Sequence, residues 1–329
     1  MSFPVSDSFL ADYQSITTGW GAIELGGWTM VSIVGEDRAR LVHNMCTNDI
    51  CRLSPGEGCE TFFADVKGKI VAHGFVLVAE DQLLFLTVPQ QASVIIKHLD
   101  RYIIREDVQL LDNSDKYGLL VLCGTEVPFI LRDRLGVDSV GWQTPLQNTT
   151  CNFQDIELLL VGFNALWPEA FLLRYPQGEK ERLLSSLDQR EGAPAVWKTL
   201  RVESGLPLLG VDFGPSNLPQ ELNRDARAIS FNKGCYLGQE TIARIDALGH
   251  VNQQLVSLQF SENTLPEPGD KVFVAEKEVG KITSAVWSPR LEAPLALAMV
   301  RRGFNALGSE LQCERGRAIV IPFPAFQRS

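Results

Sequence analysis

No apolar run in this sequence approaches the ~18 residues that a membrane-spanning helix needs, so a membrane is not expected as a partner. The opening stretch, MSFPVSDSFLADYQ, has no basic leader, no continuous apolar segment and no arginine-rich character, and no secretory or transit signal is read there. Positive charge is also short: 30 Lys and Arg stand against 40 Asp and Glu, a net charge of −10. That balance disfavours non-specific adhesion to nucleic acid, and direct nucleic-acid binding is not expected. The seven cysteines are odd in number and include no CxxC pair, which reads as reduced thiols in a cytoplasmic protein. Cys46, Cys51 and Cys59 are spaced C-x4-C-x7-C, which matches no usual zinc or ferredoxin run, and no stably bound metal is expected.

What is present is a soluble-globular composition, 45% hydrophobic and 21% charged over 329 residues, enough chain for two or three domains. Apolar runs at 29–34, 61–65, 70–79, 83–88, 118–123 and 156–161 read as strands. Helical patterns fall at 36–44, 91–102, 128–135, 180–189 and 193–204, the last opening on Pro194, which suits a first helical turn. Strands and helices interleave without a strict βαβ rhythm, so the expected class is α+β with largely antiparallel sheets. The order recurs loosely before about residue 110 and again from 117 to 205, as two related subdomains would. Residues 205–229, rich in Pro, Gly and Asn, read as an ordered connecting loop, of a kind that is uncommon in a compact protein and often functional. Beyond residue 250 six short strands separated by turn signals such as PEPGD read as a β-barrel. The expected division is 1–249 and 250–329.

The densest chemistry lies in FNKGCYLGQE, residues 231–240. The thiolate is the reactive form of cysteine. Lys233 could set a cation beside Cys235, and residues 236–245 read as a helix whose N-terminus would favour an anion there. Gly234 and Gly238 allow close approach of backbone or ligand, and Tyr236, Gln239 and Glu240 complete the motif. The alternative is a partly buried structural thiol in a glycine-rich turn.

The segment ISFNKGCYLGQETIARI resembles the signature of the YgfZ-type folate-binding proteins, relatives of the glycine-cleavage T-protein (aminomethyltransferase). HNMCTNDICRLSPGEG, LRVESGLPLLGVDF, NLPQELN, VGKITSAVWSP and PLALAMV carry the resemblance across nearly the whole chain, in order. It implies duplicated folate-binding α+β subdomains followed by a β-barrel, with tetrahydrofolate as ligand. It also implies an accessory role in assembly or repair of iron–sulfur client proteins, with an indirect effect on tRNA modification through a reactive Cys235 assisted by Lys233. Glu203 stands where the family's pterin-binding acid falls; a carboxylate can accept a ring N–H and an exocyclic amine together. The anionic folate tail wants a cation, for which Arg201, Arg224, Arg227 and Arg244 are candidates, Arg201 and Arg244 being put forward with Glu203.

One more absence separates this chain from the enzymes. T-proteins carry an acidic pair after a Gly-Gly-x-Ile segment. The corresponding run here is VKGKIVAHGFVL, with Val71 and Ala72 at those places and no Asp or Glu between Lys67 and Ala79. Neither side chain can take a proton. His73 reads as a strand residue facing solvent or making one hydrogen bond, Asp65 and Lys67 as turn residues, and Asn48-Asp49 as a structural turn at a pocket rim. The rival functions are a folate-dependent aminomethyl or related one-carbon transferase and an RNA-binding module.

Overall fold

A computed structural model describes residues 6–140, 142, 144, 146–166, 170–189 and 191–324. The α-helices among the described residues are α1 Asp7–Thr18, α2 Arg38–Met45, α3 Ala92–Asp100, α4 Val127–Leu135, α5 Lys180–Ser186, α6 Pro194–Glu203, α7 Asp225–Ala228 and α8 Gln239–Leu248. The strands are β1 Gly21–Glu24, β2 Thr29–Val34, β3 Gly58–Ala64, β4 Ile70–Val78, β5 Gln82–Thr87, β6 Gln109–Asp112, β7 Tyr117–Cys123, β8 Asn148–Phe153, β9 Ile156–Gly162, β10 Phe171–Pro176, β11 Gln253–Phe260, β12 Lys271–Val274, β13 Lys277–Ser288, β14 Ala293–Arg301, β15 Glu310–Cys313 and β16 Gly316–Ile321. The expected α+β class with antiparallel sheets and a C-terminal barrel holds.

The chain divides into two compact units. One is drawn from Gln14–Gly192 and Ala226–Gln239, the other from Ala193–Asp225 and Glu240–Ser329 with the N-terminal segment through Tyr13. The first unit holds two five-stranded sheets, β3-β4-β5-β2-β6 and β1-β7-β10-β9-β8, every pairing between their strands antiparallel. Val31, Ile33, Val76 and Phe85 of the former pack on Leu41, Val42 and Met45 of α2 and on Ile95 and Leu99 of α3. Leu120, Leu122, Leu158 and Leu160 of the latter pack on α4 and α5. The sheets meet at Phe75 and Phe163, whose rings lie edge to face at 5.2 Å. The near-continuous apolar run of β4, IVAHGFVLV, follows from coverage on both faces.

The second unit is built on a closed barrel, β11-β14-β13-β12-β15-β16. Its interior is filled by Leu258, Val272, Ile282, Ala296, Ala298 and Val320, small side chains alternating with branched ones as a narrow barrel requires. Val202 of α6 packs outside it with Val286, Leu295 and Leu297. Among the described residues no helix is long and apolar enough to cross a membrane.

Candidate functional site

In the first unit, residues 231–238 form a loop held down at both ends. Lys233 is 7% exposed, and its ammonium donates to three backbone carbonyls, those of His43, Cys46 (2.8 Å) and Asn48 (2.8 Å). These carbonyls lie at the C-terminus of α2 and in the turn after it, where helical carbonyls have no N–H partner of their own. The Nζ also lies 4.8 Å from the centre of the Tyr236 ring. Burial pushes the ammonium pKa down, opposed by the nearby Cys46, Asp49, Cys59 and Cys51. The neighbouring N–H of Leu237 donates to Asn44 O at 2.9 Å, and Ser230 N–H to Thr47 O at 2.9 Å.

This corrects the role expected of Lys233. The cation is spent on the carbonyls of residues 43–48 and acts as the peg that fixes the loop. The helix expected at 236–245 is also displaced: α8 starts at Gln239, leaving Cys235 four residues before its first turn, beyond the reach of a helix-terminal dipole. Gly238 explains the shift. Its φ of +81° lies in the left-handed region, and a Cβ there would stand 2.5 Å from Asp65 O. The chain must therefore turn at Gly238 before it can wind rightward, and the turn at Asp65–Gly68 supplies the surface it packs against.

Cys235 itself is exposed. It opens on a groove of about 440 Å³ lined by Arg40, Asn44 and Met45 of α2, by Tyr102 and Glu106, and by Tyr236 and Leu237. Glu106 accepts the N–H groups of Ile104 (2.8 Å) and Arg105 (3.0 Å), which hold its carboxyl down to about 2, so the groove carries a fixed negative charge facing the Arg40 end. Gly234 is exposed, Tyr236 buried, Gln239 the first residue of α8 and Glu240 an exposed acid in its first turn. Three other thiols of the first unit differ in kind: Cys46, Cys59 and Cys123 are buried, and burial pushes each thiol pKa up. Among the described residues no three His, Cys, Asp or Glu side chains converge as a metal site.

In the second unit, LRVES closes α6, and its charged residues face inward. Arg201 donates to Asp212 (2.9 Å), to Ser284 (2.6 Å) and to Leu206 O (3.3 Å), with side-chain exposures of 4% for Arg201 and 0% for Asp212. Asp212 also accepts from Ser284 Oγ (2.6 Å), Thr283 Oγ1 (2.8 Å) and Leu208 N–H (2.9 Å). A guanidinium so enclosed is a clasp between α6, the 205–223 loop and β13, and it is not presented to a folate tail. Glu203 is 1% exposed, not a surface acid. Tyr13 Oη donates to its Oε2 at 2.8 Å and Ser288 Oγ to its Oε1 at 2.5 Å. Burial raises its pKa against these bonds. Arg224 is buried, whereas Arg227 and Arg244 are exposed, Arg227 donating to Asn164 O at 3.2 Å.

Where the T-protein acids would fall, β4 presents Val71 and Ala72, both packed into the α2/α3 core. His73 does not face solvent: it is 5% exposed, stacks on Phe62 at 4.7 Å and lies 2.7 Å from Glu60, also 5% exposed. Glu60 belongs to β3, and the register that sets Phe62 opposite His73 makes Glu60 its diagonal neighbour on the same face. Asp65 caps its turn by accepting Lys67 N–H and Lys69 N–H, each at 2.8 Å. Asn48 bridges Glu60 O and Arg227 O, and Asp49 lies 3.3 Å from His43 and 3.0 Å from Arg52.

The matches to known proteins fit this architecture. Residues 2–158 match the GCVT N-terminal domain, and residues 253–325 match the glycine cleavage T-protein C-terminal barrel domain. The chain belongs to the glycine-cleavage T-protein superfamily. A tRNA-modifying protein YgfZ of Blochmanniella pennsylvanica is 28% identical over 76% of each chain. A putative chloroplastic transferase of Arabidopsis thaliana is 25% identical over 93% of this chain and 71% of its own. A Listeria monocytogenes aminomethyltransferase is 21% identical over 97% and 90%. The crystal structure of glycine cleavage system aminomethyltransferase T from Bartonella henselae superposes with a TM-score of 0.85, covering 99% of this chain and 91% of that one at 18% identity, which shows the fold.

Within that superfamily fold, sequence reasoning locates the cysteine loop but misses what surrounds it. Arg40, Tyr102 and Glu106 come from distant segments and carry no motif. Glu60 escapes because only the strand register brings it to His73. His43 escapes because a polar residue in the last turn of a short helix resembles a simple cap.

Proposed function

We propose that this protein is a tetrahydrofolate-binding accessory protein for assembly or repair of iron–sulfur proteins, acting in the cytoplasm with an indirect effect on tRNA modification. Cys235 is its reactive thiol. The observation that carries the reading is the contrast between an exposed thiol over an open groove and the immobilised loop that presents it. Lys233 and Gly238 fix the backbone on either side of Cys235, and preorganisation of this kind serves a working group better than a mere turn. The relatives named as tRNA-modifying proteins support the same reading. Functionally, 1–249 is assigned as the folate-binding region and 250–329 as the barrel.

For folate, the residues fit in part. Glu203 already receives two hydroxyl donors, one on each oxygen, which is the donor pattern that a pterin ring N–H and exocyclic amine would replace. Arg201 does not fit the anionic tail, and the exposed Arg244 is left for that task. The alternative, one-carbon transfer, has weaker support. Val71 and Ala72 cannot serve as acids, and Glu60 is bonded to His73 rather than presented to a substrate.

Calorimetric titration of the purified protein with tetrahydrofolate, followed by assay with a methylamine donor, separates the two. Saturable binding that Glu203→Ala weakens, without methylamine turnover, is expected. Turnover would establish the transferase, and absence of binding by a folded protein would rule folate out as the ligand.

A further inference from the structure

The cysteine loop is approached by an imidazole that its motif does not contain. A Cβ placed on Gly234 would stand 4.0 Å from His43 Nε2, so this nitrogen points at the backbone one residue before Cys235. The other ring nitrogen, Nδ1, lies 3.3 Å from Asp49 Oδ1. Both atoms are buried and neither has a hydrogen-bond partner in the present geometry, so a small ring rotation would join them. Asp49 is held in turn by Arg52 at 3.0 Å through its second oxygen. The link between imidazole and loop is rigid, because the Lys233 ammonium donates to His43's own carbonyl and Leu237 N–H to the next one, Asn44 O.

We propose that His43 is the proton acceptor for the Cys235 thiol, with Asp49 as its positioning residue. This rests on the reading of Cys235 as a reactive thiol and adds the means of its activation. In the step proposed, the S–H proton passes to His43 Nε2. The sulfur keeps the electron pair for attack on an electrophile, and Asp49 holds the resulting imidazolium through Nδ1–H. Acceptor, orienting carboxylate and nucleophile make up the usual arrangement for an activated thiol. The charged groups that act on the imidazole are Lys233 from the loop and Asp49 from the turn after α2, with Arg52 reaching the ring only through Asp49. Burial and the Lys233 charge lower the His43 pKa against the pull of Asp49, so the ring is a neutral acceptor at physiological pH.

The test is the pH profile of Cys235 alkylation by iodoacetamide, read by peptide mass in the full chain carrying Cys51→Ser, since Cys51 is also exposed. Cys235 of the otherwise native protein should react at pH 7 about tenfold faster than the same cysteine in the urea-unfolded chain. His43→Gln should bring that rate down to the unfolded value while leaving the rate at about pH 10 unchanged. Asp49→Asn should fall between, and free imidazole should restore a His43→Ala variant. If His43→Gln and Asp49→Asn profiles superimpose on the native one while Cys235 stays faster than in the unfolded chain, His43 is excluded and the reactive thiol stands. If native Cys235 is no faster than the unfolded control, the reactive-thiol reading falls, and the role of His43 with it.

Discussion

Two charged motifs, KGCYLGQE and LRVES, look alike as strings: each has a cation close to a candidate working group. Their surroundings part them. In the first, Lys233 is buried on backbone carbonyls and Cys235 is left outside. In the second, Arg201 is closed on Asp212 and Ser284, and Glu203 on Tyr13 and Ser288. Both cations are structural, but only the first motif spends its cation on presenting a neighbour to solvent. A charged residue within a functional motif therefore need not be the functional charge. What decides is whether its hydrogen-bond capacity is already filled.

The sharpest way to break the contrast is at Arg201. Arg201→Ala leaves the Asp212 carboxylate buried without its cation, and a loss of about 3–5 kcal/mol is expected in urea unfolding. A change below about 1 kcal/mol would mean that the clasp is dispensable. Lys233→Met should cost less, roughly 2–3 kcal/mol, since the stranded groups are neutral carbonyls partly within reach of water. Its distinctive effect should be faster amide exchange at residues 231–238, measured by mass spectrometry, with the barrel unaffected.

A smaller effect is expected from pH. Burial and the neighbouring Asp246 raise the Asp225 pKa from 3.8 to about 6. An acid whose folded-state pKa is raised binds its proton more tightly when folded. Its stabilising contribution is complete below pH 3.8 and is lost as pH rises through about 6. Asp225→Asn should therefore leave stability unchanged near pH 4 and raise it at pH 7 by on the order of 1 kcal/mol, after allowance for partial exposure. Equal effects at both pH values would contradict the assignment. Cys235→Ser should change stability least, within about 0.5 kcal/mol, because the thiol is exposed.

Much of the fold is legible in the sequence because its signals are local. The run at 29–34 is β2 without adjustment, and Pro194 opens α6 where a proline at a first turn predicts. The barrel follows from short strands between turn residues. β1, β8 and β10 carry weaker or interrupted patterns that give no clear strand signal. The shift of α8 is hidden in a single dihedral: Gly238 looks like any flexible glycine until its backbone is seen against Asp65. For the site, the motif gives Cys235 its place, but the destination of the Lys233 ammonium depends on three carbonyls some 190 residues away, which no spacing rule encodes. The burial of Arg201 and Glu203 is equally invisible, because Asp212, Ser284, Tyr13 and Ser288 are brought to them only by tertiary packing.

The most direct test of the central claim is complementation in a strain lacking its own member of this family, with the product of an iron–sulfur tRNA methylthiolating enzyme quantified as the modified nucleoside. Restoration by the native protein and failure by an equally abundant, folded Cys235→Ser variant is the predicted result. Equal restoration by both would contradict it and reduce Cys235 to a surface residue of a well-anchored loop.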